Sequence, residues 1–179
     1  METIELRQAA RRAYELGRVR LGAKLAVASL VVGAAAVGLG RPVGITAALS
    51  VVLAALVGLI AFRGGSAGRA VWPALAAGTA AMFFPLAIRT AGCSLFGPQC
   101  MRFCLHACVA GGMAMGAALA LAARREESGA REFIIAGVAI AALTASLGCS
   151  LLGAGGVLGM ALGTVAAGAP IWIVARAAR

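Results

Sequence analysis

Apolar residues in this chain fall into six long runs, which are separated by short segments rich in charge, glycine or proline. A helix needs about 20 mostly apolar residues to cross the hydrocarbon core of a membrane, and every run has about that length. The runs are 21–40, 44–62, 70–88, 103–123, 133–152 and 155–175. The pattern predicts an all-α membrane protein, a bundle of six transmembrane helices with short loops.

The segments between the runs contain residues that interrupt helices. Charge and backbone breakers occur together at 40–42, at 63–66, in a longer loop around Gly97-Pro98 and at 124–129. The fifth separator, Gly153-Ala154-Gly155-Gly156, has no charge. It is the weakest boundary, and its loss would merge the last two spans into one long re-entrant element.

Composition supports lipid as the solvent. The chain is 62% apolar and 12% charged, whereas average soluble domains are about half apolar and a quarter charged. All six acidic residues lie outside the apolar runs. The net charge of +10 does not indicate direct nucleic-acid binding, because the basic residues lie between apolar runs and do not line one polar face.

The basic residues also predict the orientation of the helices. One side of the six spans collects 13 Lys and Arg residues, from the N-terminal segment, residues 63–69, 124–131 and 176–179. The other side holds Arg41, Arg89 and Arg102. Cytoplasmic loops of membrane proteins carry the excess of Lys and Arg, so both termini are predicted in the cytoplasm and the protein in the bacterial inner membrane.

Residues 1–20 are predicted as a cytoplasmic amphipathic segment, distinct from a transmembrane domain at 21–179. Apolar residues recur there at helical spacing, at Leu6, Ala9, Ala13 and Leu16. A cleaved signal peptide is disfavoured, because the charged lead is long and contains acidic residues. Two interpretations stay open: a helix held by anionic lipid at the membrane surface, or a docking surface for a cytoplasmic protein. The arginines of this segment that either surface uses are Arg7, Arg11, Arg12 and Arg18.

All the cysteines are predicted near the outer face of the membrane. Cys93 and Cys100 are expected in the loop between spans three and four, and Cys149 near the outer end of span five. Cys104 and Cys108 are expected in the outermost turns of span four. If the fourth helix begins slightly before Cys100, the residues 100, 104 and 108 form a thiol stripe at i, i+4 and i+8.

Three interpretations of the thiols stay open. Side chains at i and i+4 can share a metal ion, and thiolates prefer thiophilic ions such as Zn, Cu, Cd or Hg. A disulfide between Cys93 and Cys100, or one from Cys149 to span four, is compatible with an oxidising periplasm. Alternatively, the cysteines are small buried apolar residues. His106, the only histidine, lies two residues from both Cys104 and Cys108 and is therefore expected on the opposite face of the helix, away from a ligand set.

Enzymatic activity is not expected. No span contains an acidic residue for proton or ion coupling. No glycine cluster ends in the Lys-Ser/Thr of a nucleotide-binding loop. The single histidine lies beside the thiols and cannot form a Ser/His/Asp catalytic triad. No cofactor is expected other than a thiophilic metal ion.

The layout resembles the NrsF type of bacterial membrane negative regulator of sigma factors. The resemblance rests on the lead 5–12 (ELRQAARR), on the region from Cys93 to Cys108, and on Cys149 near the end of span five. It implies an anti-sigma factor that holds an extracytoplasmic-function sigma factor at its cytoplasmic face. Thiol modification or metal capture outside would release that partner. Four cysteines cluster where the family pattern needs one, so a larger metal site or a different role is also open.

Two other functions share some of these sequence features. The chain is similar in size and cysteine content to mercury-uptake membrane proteins, which makes a thiophilic-metal transporter the alternative, although no cysteine is expected near the cytoplasmic side. A thiol-redox enzyme that reduces quinone is disfavoured by the odd cysteine count and the lack of a Cys-x-x-Cys motif. Membrane lipid and a second copy of the chain are the other partners that the sequence allows.

Overall fold

The computed structural model of the chain is a bundle of α-helices, and no β-strand occurs among the residues it describes. Those residues are 2–38, 43–96, 100–126, 128–149 and 153–177, with side chains described at 7–10, 12–38, 43–84, 106–126, 128–148 and 158–174. The helices are α1 (Glu2–Gly38), α2 (Val43–Arg63), α3 (Gly65–Phe96), α4 (Cys100–Ala123), α5 (Ala130–Cys149) and α6 (Gly153–Ala177). The all-α prediction is confirmed.

Glycines with left-handed backbone conformation form the turns at one end of the bundle. Gly64, between α2 and α3, and Gly65, the first residue of α3, have φ of 69° and 67°, and Gly129, before α5, has φ of 78°. Glycine adopts this conformation without the clash that a Cβ would cause. The N–H of Gly64 donates to the carbonyl of Ile60 at 3.0 Å, which closes the last turn of α2. The separators predicted at 63–66 and 124–129 are confirmed.

The connection between α3 and α4 is shorter than the sequence predicts. Cys93 lies within α3, and Cys100 is the first residue of α4, so neither belongs to a long loop. Hydropathy marks the apolar part of a span, whereas a helix continues until a residue interrupts it. Residues 89–96 are too polar to extend the apolar run, but they contain no proline, and the next proline in the chain is Pro98.

The last two helices are separate. α5 ends at Cys149 and α6 begins at Gly153, so the glycine run at 153–156 forms the start of α6 instead of the connection. By contrast, α1 has no break at the predicted boundary after residue 20. It is one helix of 37 residues, and the division at residue 20 stays a prediction about the solvent around it.

Glycines bring the helices together in three close pairs. Gly22 of α1 lies against Gly58 of α2, and Gly33 lies against Ser50, so these helices are antiparallel. The other pairs are parallel: α3 with α5, through Gly78 against Ala141 and Gly148 against Met82, and α4 with α6, through Gly112 against Met160 and Gly116 against Thr164. Small residues allow such close approach where no hydrophobic effect operates between helices in lipid. Gly163 of α6 likewise lies against Val109 of α4, so glycines on both helices form this contact.

Successive helices alternate in direction. Ala70 at the start of α3 packs with Ala123 at the end of α4 and with Phe133 at the start of α5. Because α5 is parallel to α3 and α6 is parallel to α4, α5 and α6 also run in opposite directions. The ends of α2, α4 and α6 therefore lie at the same end of the bundle as the starts of α3 and α5.

Three buried hydroxyl groups are satisfied within their own helices. Ser50, Thr144 and Thr164 each donate to the carbonyl four residues earlier, at 2.7 to 2.8 Å. These three hydroxyl groups therefore need no water as a partner, which suits a core surrounded by lipid.

Four helical segments among the described residues are long and apolar enough to cross a membrane: Arg7–Gly38, Val43–Arg63, His106–Ala123 and Ala130–Gly148. Leu158–Val174 is a shorter apolar helix. Large apolar side chains are exposed on the outside of the bundle, including Trp72 at 69% and Leu162 at 69%. Exposed apolar surface of this kind is unfavourable in water and favourable in a bilayer, which is consistent with a helical membrane protein.

Candidate functional site

Four helix ends meet at one end of the bundle and carry the cysteines. They are the ends of α3 and α5 and the starts of α4 and α6, brought together by the pairing of α3 with α5 and of α4 with α6. Cys93 and Cys149 lie near the ends of α3 and α5, and Cys100 and Cys104 lie in the first turns of α4. The side chains of these four cysteines are outside the described residues, so their sulfur positions stay predictions.

The residues 100, 104 and 108 all lie on α4, because the helix begins at Cys100. The condition for a repeat at i, i+4 and i+8 is thus met by the backbone. This end of the bundle, defined by residues 93, 100, 104, 108 and 149, is called the cysteine end below.

Cys108 is the cysteine whose side chain is described. It is 0% exposed and belongs to the main apolar core of the bundle, with Met82 and Leu147 among the other members. His106 is exposed. The two side chains therefore face different surroundings, as their spacing on the helix predicts. Among the described side chains, no group of three or more His, Cys, Asp and Glu residues has the arrangement of a metal site.

The opposite end of the bundle is basic and contains the glycine turns. Arg63, Arg69, Arg124, Arg125 and Arg131 all lie in or beside the turns that join α2 to α3 and α4 to α5. The grouping predicted from the count of Lys and Arg is therefore present in three dimensions. It is called the basic end below.

Arg18 attaches α1 to the basic end. Its guanidinium lies 5.4 Å from the ring centroid of Tyr14 and 5.8 Å from that of Phe62, which is within cation–π range. It also lies over Gly64, where an added Cβ would overlap it. Of the four predicted docking arginines, Arg18 therefore serves an internal contact between α1 and the turn after α2.

A polar network connects the two glycine turns. Arg69 of α3 forms an ion pair with Glu126 at 2.5 Å, in which the arginine side chain is 63% exposed and the carboxylate side chain 10%. Ser66 donates to Glu132 of α5 at 3.0 Å, beside Gly129. Sequence reasoning did not identify these residues as a unit. The available signal was the restriction of acidic residues after the N-terminal segment to 126–132, directly opposite the arginines of the other turn.

The N-terminal part of α1 extends beyond the bundle. At about 1.5 Å per residue the 37-residue helix is roughly 55 Å long, whereas the hydrocarbon core is about 30 Å thick. Among the described side chains of α1, Gly22 is the first that is buried, and those before it are exposed apart from Arg18, which is half-buried. Residues 7–17 are called the arm below.

The described side chains of the arm are exposed. Arg7 and Arg12 are exposed, and so are Ala9, Ala13 and Leu16 from the predicted apolar stripe. The side chain of Arg11 is outside the described residues. The exposed arginines and the exposed apolar residues among the described side chains of the arm are accessible to lipid or to another protein.

The two ends of the bundle are thus chemically distinct, with thiol-bearing residues at one and exposed arginines at the other. Comparison of the chain with protein-family models, with curated proteins and with solved structures finds no match.

Proposed function

We propose that the chain is an inner-membrane anti-sigma factor with six transmembrane helices and both ends in the cytoplasm. The cysteine end faces the periplasm and the basic end faces the cytoplasm. Supporting this orientation, the helices alternate in direction, and the turns at the basic end carry the excess of arginine that marks cytoplasmic loops.

The continuity of α1 is the observation that carries the functional proposal. One unbroken helix joins the exposed arm to the cysteine end of the bundle, where its last described residue is Gly38. Along its length α1 is packed against α2 at Gly22 and at Gly33. A change of packing at the cysteine end can therefore alter the position of α1 relative to α2, and with it the arm, without any flexible linker between the two.

The partner follows from the resemblance to the NrsF-type regulators. The arm, with Arg7, Arg11 and Arg12, binds an extracytoplasmic-function sigma factor and keeps it from RNA polymerase. Its basic surface suits an acidic patch on that partner. Arg18 holds the base of the arm against the turn after α2, so the arm and the bundle move together.

The cysteine end acts as the sensor in this proposal. Capture of a thiophilic metal ion or oxidation of the thiols at 93, 100, 104 and 149 favours a second packing of the helices that binds the partner less tightly. Cys108 is enclosed in the core, so in this proposal it responds to the repacking after the other four thiols have reacted. Reversing a population from 1:99 to 99:1 requires about 5.5 kcal/mol of differential binding.

The test is recovery of the partner with the full-length tagged protein in mild detergent. We expect a sigma factor to co-purify, and to dissociate when cadmium, zinc or a thiol oxidant is added. Replacement of Cys93, Cys100 and Cys104 by serine is expected to retain the partner under the same treatment. Recovery of no sigma factor from cells that contain the protein in its folded state would refute the functional proposal.

A matched pair of arginine variants distinguishes partner binding by the arm from partner binding by the overall positive charge of the cytoplasmic face. R12E is expected to abolish partner recovery, because Arg12 is exposed on the arm. R63E changes an exposed arginine at the end of α2 and is expected to leave recovery unchanged. Equal loss with both variants would show that the net charge of the cytoplasmic face, and not the arm, determines binding.

The orientation is tested separately with a membrane-impermeant maleimide. In a cysteine-free background, Ser128→Cys at the basic end is expected to react only after the cells are permeabilised. Restored Cys93 is expected to react in intact cells. The reverse labelling pattern would overturn the topology.

Accumulation of metal in cells that depends on the cysteines, without any sigma factor bound, would instead favour the transporter.

A further inference from the structure

An apolar groove runs along the outside of the bundle between α4, α5 and α6, starting at the basic end. Its volume is about 290 Å³. Arg131, Ile135 and Val138 line it from α5, and Val165, Ala169 and Trp172 from α6. It is called the α5–α6 groove below.

The length of the groove is close to the thickness of the hydrocarbon in one leaflet of a bilayer. Its lining extends from Arg131 to Val138 on α5 and from Thr164 to Trp172 on α6. At about 1.5 Å per residue these segments are roughly 10 and 12 Å long, close to the ~15 Å of hydrocarbon in a single leaflet. The groove therefore follows the direction and most of the depth of one acyl chain.

Charge lies at one end of the groove. Arg131 is the charged residue among its lining residues, and it stands at the start of α5, at the basic end. Arg124 lies one helical turn beyond Ala120, another lining residue, and adds positive potential at the same level. Glu132 accepts a hydrogen bond from Ser66 of α3 and is not part of the lining. An amphiphile with one negative group and an apolar tail fits this gradient.

We propose that the α5–α6 groove binds an anionic phospholipid of the surrounding bilayer, with its phosphate at Arg131 and one acyl chain along the groove beside Trp172. This proposal rests on the transmembrane placement of the bundle proposed above. Basic residues at the cytoplasmic ends of transmembrane helices select anionic headgroups in this way. The exposed apolar rim, with Ile135 at 60% and Val165 at 63% exposed, places the opening of the groove on the lipid-facing surface.

The test uses Trp172 as the reporter. The full chain with Trp72→Phe, which leaves Trp172 as the one tryptophan, is reconstituted into phosphatidylethanolamine vesicles. Brominated phosphatidylglycerol or brominated phosphatidylethanolamine with identical acyl chains is then added as quencher. One arginine near a headgroup contributes about 1 kcal/mol, so phosphatidylglycerol is expected to occupy the groove about fivefold more tightly.

Two matched pairs of variants define the site. R131Q is expected to remove the fivefold preference, whereas R63Q, an exposed arginine at the same end but on α2, is expected to keep it. Ala169→Phe fills the groove and is expected to reduce quenching by both lipids. Ala166→Phe on the same helix, exposed and outside the lining, is expected to leave quenching unchanged.

The outcomes distinguish failure of the lipid site from failure of the membrane placement of the bundle. Equal quenching by the two lipids, or a preference that survives R131Q, would overturn the lipid site and leave the transmembrane bundle intact. Loss of the preference after R131Q alone would support the site, whichever face is cytoplasmic. No quenching by either lipid would overturn the membrane placement of α6 and the lipid site together.

Discussion

The close approach of α3 and α5 at Gly78 gives a direct test of the packing. An ideal Cβ at Gly78 would lie 2.8 Å from the carbonyl oxygen of Ala141 and 2.8 Å from Cβ of Thr144. Non-bonded carbon atoms prefer about 3.5–4.0 Å, so Gly78→Ala requires the two helices to separate by about 1 Å. The atoms it meets are backbone and Cβ atoms, which cannot rotate away.

The size of the effect follows from two opposing terms. Overpacking of a close contact costs about 1–3 kcal/mol. Replacing a helical glycine by alanine stabilises the helix by about 0.5–1 kcal/mol, because the unfolded glycine has more conformational freedom. The second term can be removed by comparison with a helical glycine whose Cβ would make only ordinary van der Waals contacts. Gly111 of α4 is such a control, since its ideal Cβ meets Ala81 only at 3.8–3.9 Å.

We expect Gly78→Ala to be less stable than Gly111→Ala by about 1–3 kcal/mol, which is about 5- to 150-fold in the unfolding equilibrium constant. The assay is reversible unfolding of the purified protein in mixed micelles of mild and denaturing detergent, followed by circular dichroism and tryptophan fluorescence. Gly111→Ala is expected to be as stable as the natural protein or slightly more so. Equal stability of the two variants would refute the contact between α3 and α5.

Three further predictions concern the basic end and use the same unfolding assay. R69Q is expected to destabilise by about 1–3 kcal/mol and E126Q by less than about 1 kcal/mol, because only the first leaves a carboxylate buried without its cation; the opposite order would contradict this burial. Arg18→Ala is expected to cost about 1 kcal/mol through the lost ring contacts, with Arg12→Ala within about 0.5 kcal/mol of the natural protein. Gly64→Ala is expected to cost about 1–2 kcal/mol or more, from left-handed backbone strain and overlap with the Arg18 guanidinium; a neutral effect would show that the turn adopts another conformation.

The polar network and the arm contact bear on the proposed regulation. Arg18 connects α1 to the turn after α2, and Arg69 and Ser66 connect the start of α3 to the turn before α5. The helices are therefore held to one another at the basic end by a few specific contacts. These contacts provide the positions at which a change of packing is transmitted to the arm in the proposed mechanism.

Hydropathy alone determined the helical class and the approximate positions of the helices. The runs at 44–62 and 103–123 lie within α2 and α4, because a helix must satisfy its backbone polar groups internally wherever it is surrounded by lipid. Glycine and charge together also located the turns at Gly64 and Gly129, since left-handed backbone there requires the absence of a Cβ. Local composition was sufficient for these features because each depends on a few consecutive residues.

The helix ends near the cysteines could not be obtained in the same way. Apolarity stops near residue 88, yet α3 continues to Phe96, because helix formation depends on backbone geometry and not on hydropathy. The sequence placed Cys93 in a loop for this reason. It also treated the N-terminal segment separately from the first span, although α1 joins them as one helix.

Only the tertiary structure decided which helices are neighbours. Glycines occur in every helix, and nothing in their spacing shows that Gly78 meets α5 or that Gly116 meets α6. The same is true of Arg69 with Glu126, which are far apart in the chain, and of the groove that Arg131 shares with Trp172. A long apolar run indicates that its residues belong to a helix suited to lipid. Which helices pack together depends on the fit of two complete helix surfaces. The sequence by itself therefore determined the helical class and the approximate positions of the helices, and the packing of the helices decided which helix ends lie together and where the groove forms.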